Sequence, residues 1–293
     1  MFTGSIVALV TPFKDGKLDE AKLRELVRWH AAEGTSAIVP VGTTGESPTL
    51  TREEAHRVIE ISIEEAKPSG KLKVIAGTGS YSTAKSVEST QWARSKGADA
   101  VLIVCPYYNK PTQEGIYQHY KAVAEDGGLP VVIYTIPGRS VVNIEPATIA
   151  RLAEIKNIAA VKEASGNLGQ MSEIVSLVGD RITLLSGDDP LTLPMFAIGG
   201  KGVISVTANL VPKRMAALCA AGLKGDFAEA KKIHYELFPL FKALFSETNP
   251  IGIKAAMEIA GLCSGELRLP MTPMEEGNRK KLEAVMRDSK VIA

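Results

Sequence analysis

The chain has 293 residues, 45% of them apolar and 23% charged, the make-up of a soluble globular protein with room for one large domain or two modest ones. Its 34 basic residues face 33 acidic ones for a formal net charge of +1, so no basic surface marks nucleic acid as a partner. No apolar run approaches the roughly 18–20 residues of a membrane span, and three scattered cysteines (Cys105, Cys219, Cys263) without a CxxC pair suit neither a disulfide framework nor a cysteine zinc site.

The N-terminal MFTGSIVALVTPF lacks a basic n-region and a small-residue cleavage site. It reads as a first strand and not as a signal peptide, which makes the cytoplasm the expected location. Apolar or β-branched runs then recur at residues 5–10, 37–41, 73–76, 100–104, 130–134, 159–162, 182–185 and 202–206. Segments with helical spacing lie between them, at 19–33, 51–66, 82–96, 113–125, 146–154, 171–178 and 190–198. Asp19, Thr51, Ser82 and Asp189, the last before Pro190, are candidate helix starts, and Gly34, Gly97 and Gly127 are candidate ends.

Near-continuous apolar runs alternating with helices describe parallel βα units whose sheet is covered on both faces. Eight such units predict a closed (β/α)8 barrel. An open doubly wound sheet would carry GxGxxG after its first strand; Gly77-Thr78-Gly79 follows the third and lacks the last glycine. Beyond about residue 224 the rhythm changes to helices at 226–245, 250–260 and 272–287 with no strand between. The expected organisation is a barrel over residues 1–224 and a C-terminal helical domain over 225–293.

In such a barrel the chemistry gathers at the C-terminal strand ends. Those ends carry Thr11-Pro12, Gly42-Thr43-Thr44-Gly45-Glu46, Gly77-Thr78-Gly79, Pro106-Tyr107-Tyr108-Asn109, Tyr134, Lys162, Ser186-Gly187-Asp188-Asp189 and Ile204-Ser205-Val206. No HExxH or Ser–His–Asp pattern is among them, and the four histidines (His30, His56, His119, His234) are scattered, so no metal is expected. In IAAVKEASG, residues 158–166, the apolar run leads straight into Lys162. A buried lysine there is either a strand-end ion pair or an amine whose pKa is lowered for attack on a carbonyl. Strict alternation puts Ala160, Lys162 and Ala164 on one face and Glu163 on the other, which takes the nearest carboxylate away from the amine. A rim tyrosine can move protons to and from the carbinolamine. Backbone N–H groups at Thr43-Thr44 can hold a small carboxylate, and Arg139, beside Pro137, can grip a second one. The substrates this set suits are a small keto acid and an acidic electrophile.

GTTGE, PYYN, YxxPGR, KEASGN, LLSGDD and GVISVTAN, in this order over the whole chain, resemble the pyruvate-dependent class I aldolase superfamily. Within it the resemblance points to the branch that condenses pyruvate with L-aspartate 4-semialdehyde on the route to diaminopimelate and lysine. It implies that Lys162 forms the pyruvate imine with no other cofactor and that Tyr134 is the general acid/base. It implies that Thr43 relays protons from Tyr134 to Tyr108, and that Tyr108 enters a neighbouring subunit's site. Thr44 would bind the pyruvate carboxylate, Arg139 the carboxylate of the semialdehyde, and Gly187 and Ile204 would place backbone oxygens near Lys162. The implied assembly is a homotetramer, a dimer of dimers. Two departures touch the site: Thr135 stands where asparagine is common, and Ser140 follows Arg139 in place of threonine. Members inhibited by lysine use polar or acidic residues where this chain has Pro48, Arg52, Tyr81 and Lys85, so weak or absent lysine inhibition is expected. The alternatives are a sister aldolase acting on N-acetylneuraminate or 2-keto-3-deoxy sugar acids, which has no use for Arg139, and a non-catalytic keto-acid-binding barrel.

Overall fold

The computed structural model describes residues 2–293. Eight parallel strands close into a barrel: β1 (Gly4–Ala8), β2 (Ala37–Val39), β3 (Lys73–Gly77), β4 (Ala100–Val104), β5 (Val131–Thr135), β6 (Ile158–Glu163), β7 (Thr183–Ser186) and β8 (Gly202–Ser205). Each pairs with the next in sequence, and β8 closes onto β1 with Ile204 opposite Ile6. This is the (β/α)8 barrel expected from the spacing. The first two strands stop short of the apolar runs that suggested them. The Val10 amide turns to the Asn209 side chain, Pro40 has no N–H to pair, and Val41 takes a left-handed conformation with φ of 59°.

Two cores follow from strand alternation. Ile6, Ala8, Val39, Ile75, Leu102, Val132, Ala160, Leu185 and Ile204 fill the barrel interior. Val7, Ile38, Val74, Ile103, Ile133 and Val161 face the other way, toward the helices. The pairing of β5 with β6 is not uniform. Val131 faces Ile158 but Val132 faces Ala160, so Ala159 is bulged out. Ile158 packs with the helix-side core and Ala160 with the interior, although strict alternation would give them one face.

The helices around the barrel are α1 (Glu20–Ala32), α2 (Arg52–Ala66), α3 (Thr83–Lys96), α4 (Gln113–Gly127), α5 (Pro146–Leu152), α6 (Leu168–Val178), α7 (Thr192–Ala197) and α8 (Pro212–Leu223). Asp19 caps α1 through the Lys22 amide, and Thr51 with Glu54 forms a capping box on α2. Ser82 and Gly127 stand at helix ends as expected, and the Asp189 signal is corrected. Ser82 precedes α3 without a side-chain cap. Asp189 opens a short 3-10 turn and aims its carboxylate elsewhere. The left-handed residue that ends α4 is Gly128, one past Gly127. An unexpected hairpin, Phe13–Lys14 against Lys17–Leu18, turns through Asp15 and Gly16, both at positive φ.

The C-terminal segment is helical as expected: α9 (Phe227–Leu244), α10 (Ile251–Ile259) and α11 (Glu276–Asp288). Asp226 caps α9, whose buried stripe includes Leu237, Leu240, Phe241 and Leu244. One connection from α10 to the barrel is ionic. Lys254, fully buried, donates to the Thr11 carbonyl at 2.8 Å and lies 3.4 Å from Glu46 Oε1, close enough to pair but off hydrogen-bond geometry. The other Glu46 oxygen accepts the Arg268 amide at 3.0 Å. All three cysteines are buried and unpaired, and burial holds the Cys105 thiol up at about 12, which suits a structural role. No helix among the described residues is long and apolar enough to cross a membrane.

Candidate active site

Lys162 stands near the C-terminal end of β6, and Tyr134 stands directly opposite on β5. Both side chains enter the barrel, because each shares the phase of its interior neighbours Ala160 and Val132. The Lys162 amine sits 4.2 Å from the centre of the Tyr134 ring. The barrel wall leaves the lysine 6% exposed and the tyrosine 5%. Burial pulls the Lys162 amine down from 10.5 to about 8; the Asp188 and Asp189 carboxylates oppose the fall and Arg139 adds to it. At neutral pH about a tenth of this amine is therefore the free base that a carbonyl requires, far more than for an ordinary lysine. The same burial lifts the Tyr134 phenol to about 12, with Arg139 and a hydrogen bond to Thr43 pulling the other way. A phenol so held keeps its proton at neutral pH.

Glu163, the residue after the lysine, points out of the barrel. Its carboxylate accepts from Gln170 Nε2 at 2.7 Å and from the Ser165 amide at 3.2 Å, and Gln170 in turn bonds Asn143. Glu163 is consumed by this outer network, so the strand-end ion pair does not form with it.

Thr43 and Thr44 lie on the loop between β2 and α2, whose last residue before the 3-10 turn, Glu46, has φ of 54° and is held by the Lys254–Arg268 contacts. Thr44 is buried, and its Oγ1 accepts from Asn249 Nδ2 at 3.0 Å. Arg139 lies in the single helical turn Pro137–Ser140 that follows β5, not in an open loop. Its side chain is exposed, with Nη2 donating to the Asn249 carbonyl at 2.9 Å. Gly187 follows β7, and its amide donates to the Glu163 carbonyl at 2.7 Å. A Cβ there would come within 2.5 Å of the Ala164 Cβ, so glycine is what lets the two strand ends meet. Ile204 lies in β8 with its side chain in the interior core.

The structure thus gathers Lys162, Tyr134, Thr43, Thr44 and Arg139 at one end of the barrel, with Gly187 just past β7 and Ile204 in β8. Tyr108 stands apart: it is 91% exposed, at φ of 65°, outside its own chain's buried cluster. Its neighbour Tyr107 packs edge-on against Tyr81, with ring centres 5.3 Å apart. One contributor escapes a strand-end reading, and another found by it has a different duty. Asn249 comes from the segment between α9 and α10, and no strand announces it. Asp189 has the look of a helix cap, but its Oδ2 accepts from the Thr207 amide and hydroxyl at 2.9 and 2.8 Å and so ties the end of β7 to that of β8. Among the described residues no group of three or more His, Cys, Asp or Glu side chains is placed to hold a metal ion.

The chain as a whole has counterparts among known proteins. The model of the dihydrodipicolinate synthetase family matches residues 1–289. The 4-hydroxy-tetrahydrodipicolinate synthase of Geotalea uraniireducens is 55% identical over 292 residues, 100% of each chain. Dihydrodipicolinate synthase from Aquifex aeolicus is 49% identical and superposes with a TM-score of 0.97 over 99% of both chains. The chloride-inhibited dihydrodipicolinate synthase of Acinetobacter baumannii, solved in complex with pyruvate, is 44% identical with a TM-score of 0.97 over 100% of both chains. With residues 1–289 matched by the family model and its whole length by these relatives, the chain belongs to the dihydrodipicolinate synthetase family.

Proposed function

We propose that this chain condenses pyruvate with L-aspartate 4-semialdehyde to give 4-hydroxy-tetrahydrodipicolinate. The observation that carries the reading is a buried amine at the rim, Lys162, held down at about 8 and seated against the Tyr134 ring. The pyruvate complex of the A. baumannii relative supports pyruvate as the keto acid. In the mechanism this suits, Lys162 Nζ adds to the pyruvate carbonyl. Tyr134 delivers the proton that lets water leave, and the imine results. Transfer of a methyl proton to the Tyr134 phenolate gives the enamine, whose carbon attacks the aldehyde while Tyr134 passes that proton to the new alkoxide. The substrate's own amine then adds to the imine carbon and displaces Lys162, so that one water is released overall and the lysine is regenerated.

In this reading Thr44 holds the pyruvate carboxylate and Arg139 that of the semialdehyde, with Gly187 and Ile204 lending backbone oxygens. Thr43 passes protons between Tyr134 and the Tyr108 of a neighbouring subunit in a dimer of dimers. An almost fully exposed tyrosine beside the Tyr81–Tyr107 pair supports that last assignment. The barrel of residues 1–224 carries the chemistry, and residues 225–293 form the helical domain that braces it. No cofactor beyond the imine is called for. Arg139 favours this substrate over the polyols of the sister aldolases, which offer no second carboxylate for a guanidinium to pair with.

Borohydride reduction with pyruvate, followed by peptide mass spectrometry, tests the reading. A reduced pyruvyl adduct on Lys162 is expected, lost in Lys162→Met; adduct on another residue, or none, sinks it. Arg139→Ala should keep the adduct and lose condensation, and a variant that still condenses would overturn the substrate assignment.

A further inference from the structure

One residue of the C-terminal segment touches both carboxylate grips. Asn249 is 6% exposed, lies 205 residues from Thr44 in the chain, and donates from Nδ2 to Thr44 Oγ1 at 3.0 Å. Its backbone carbonyl accepts from Arg139 Nη2 at 2.9 Å. A hydroxyl has a single proton and two lone pairs. When an amide N–H occupies one lone pair, the proton is turned away from the amide, toward whatever acceptor lies on the open side. In the reading given above, that acceptor is the pyruvate carboxylate. Arg139 is a planar fork of five donors. Fixing one of them on a buried carbonyl sets the plane in which the others face the entrance.

The remaining atom of the Asn249 amide argues against a packing role. Oδ1 is buried with no hydrogen-bond partner, a costly arrangement that an apolar side chain of similar size would avoid. We propose that Asn249 is a positioning residue: its side chain directs the Thr44 proton at the pyruvate carboxylate, and its backbone anchors Arg139. This rests on the reading of Thr44 and Arg139 given above. Through it, the helical segment takes part in substrate binding as well as in bracing the barrel.

The two halves of the role separate by mutation, because Asn249→Ala deletes the amide and keeps the carbonyl. We expect the pyruvate concentration for half-maximal borohydride trapping, and the pyruvate KM, to rise about tenfold, the worth of one directed hydrogen bond. The semialdehyde KM should stay within about twofold. A loss of structure would instead raise both and lower the melting temperature. Asn249→Asp, matched in size, accepts the Thr44 proton and adds a negative charge, so the pyruvate KM should rise at least as far; it serves if the alanine variant folds poorly. Thr44→Val is the control. If it leaves the pyruvate KM unchanged, the reading of Thr44 is at fault. If it raises the KM while Asn249→Ala and Asn249→Asp do not, or if Asn249→Ala adds its full effect in the Thr44→Val background, the positioning role is overturned.

Discussion

Replacing Lys162 by methionine should stabilise the protein while abolishing its chemistry, and the gain should depend on pH in a defined direction. The amine ordinarily titrates at 10.5 and is held at about 8 in the fold. At ~1.4 kcal/mol per tenfold, keeping the proton on this amine in the folded state costs about 3 kcal/mol. Below pH 8 folded and unfolded chains both hold the proton, and the folded state bears the whole cost. Between pH 8 and 10.5 the unfolded chain holds a proton that the folded chain has released, so wild-type stability rises with pH. Methionine fills similar volume without the charge. Urea unfolding at fixed protein concentration should therefore put Lys162→Met about 3 kcal/mol above wild type at pH 7. That advantage should shrink by about 2 kcal/mol at pH 9.5, and the shrinkage is free of any constant difference in packing. An equal gap at both pH values would refute the argument, since it would mean that the amine titrates alike in the folded and unfolded chains.

The same displaced amine sets the rate of pyruvate trapping, which should climb with pH through about 8 and level off above it as Nζ becomes fully free base; a flat rate between pH 6 and 9 would contradict this. Glu46→Gln leaves the fully buried Lys254 without its carboxylate and should lose about 3 kcal/mol in urea unfolding, as broken buried pairs do, whereas Glu46→Met with Lys254→Met should recover most of it. Lysine should inhibit weakly or not at all. Pro48, Arg52, Tyr81 and Lys85 line one cavity of about 690 Å³ whose carboxylate, Glu88, is already paired with Arg52 at 2.6 Å, leaving Lys85 to repel an ε-ammonium. Strong inhibition below millimolar lysine in the coupled assay would overturn that expectation.

Much of this molecule is legible from local pattern. The eight strands announce themselves because a strand covered on both faces must be apolar throughout. Once the barrel is drawn, Lys162, Tyr134, Thr43, Thr44 and Arg139 fall at its rim by counting. What local pattern misses is what distance in the chain conceals. Asn249 meets Thr44 across 205 residues, and Arg268 meets Glu46 across 222, neither with any local trace. Asp189 misleads for a related reason. Asp before Pro is a sound helix-start signal, but here the stronger demand is for an acceptor at the unpaired amides of Val206 and Thr207, which become its neighbours only when the barrel closes. The Asp15-Gly16 hairpin was open to reading, because that dipeptide suits a tight turn, but its arms are too short to alternate visibly.

The extra residue in β6 divides a six-residue strand into two stretches with separate duties. Before Ala159 the strand turns Ile158 outward to seal the barrel against its helices; after it, Ala160 and Lys162 turn inward and leave space above a small floor. Without that phase break, a barrel that needs Ile158 outside would also carry the lysine outside, two steps of two residues further on. Packing at the base and chemistry at the mouth can thus change independently. The irregularity is absorbed at Ala159, and Lys162 keeps its height opposite Tyr134.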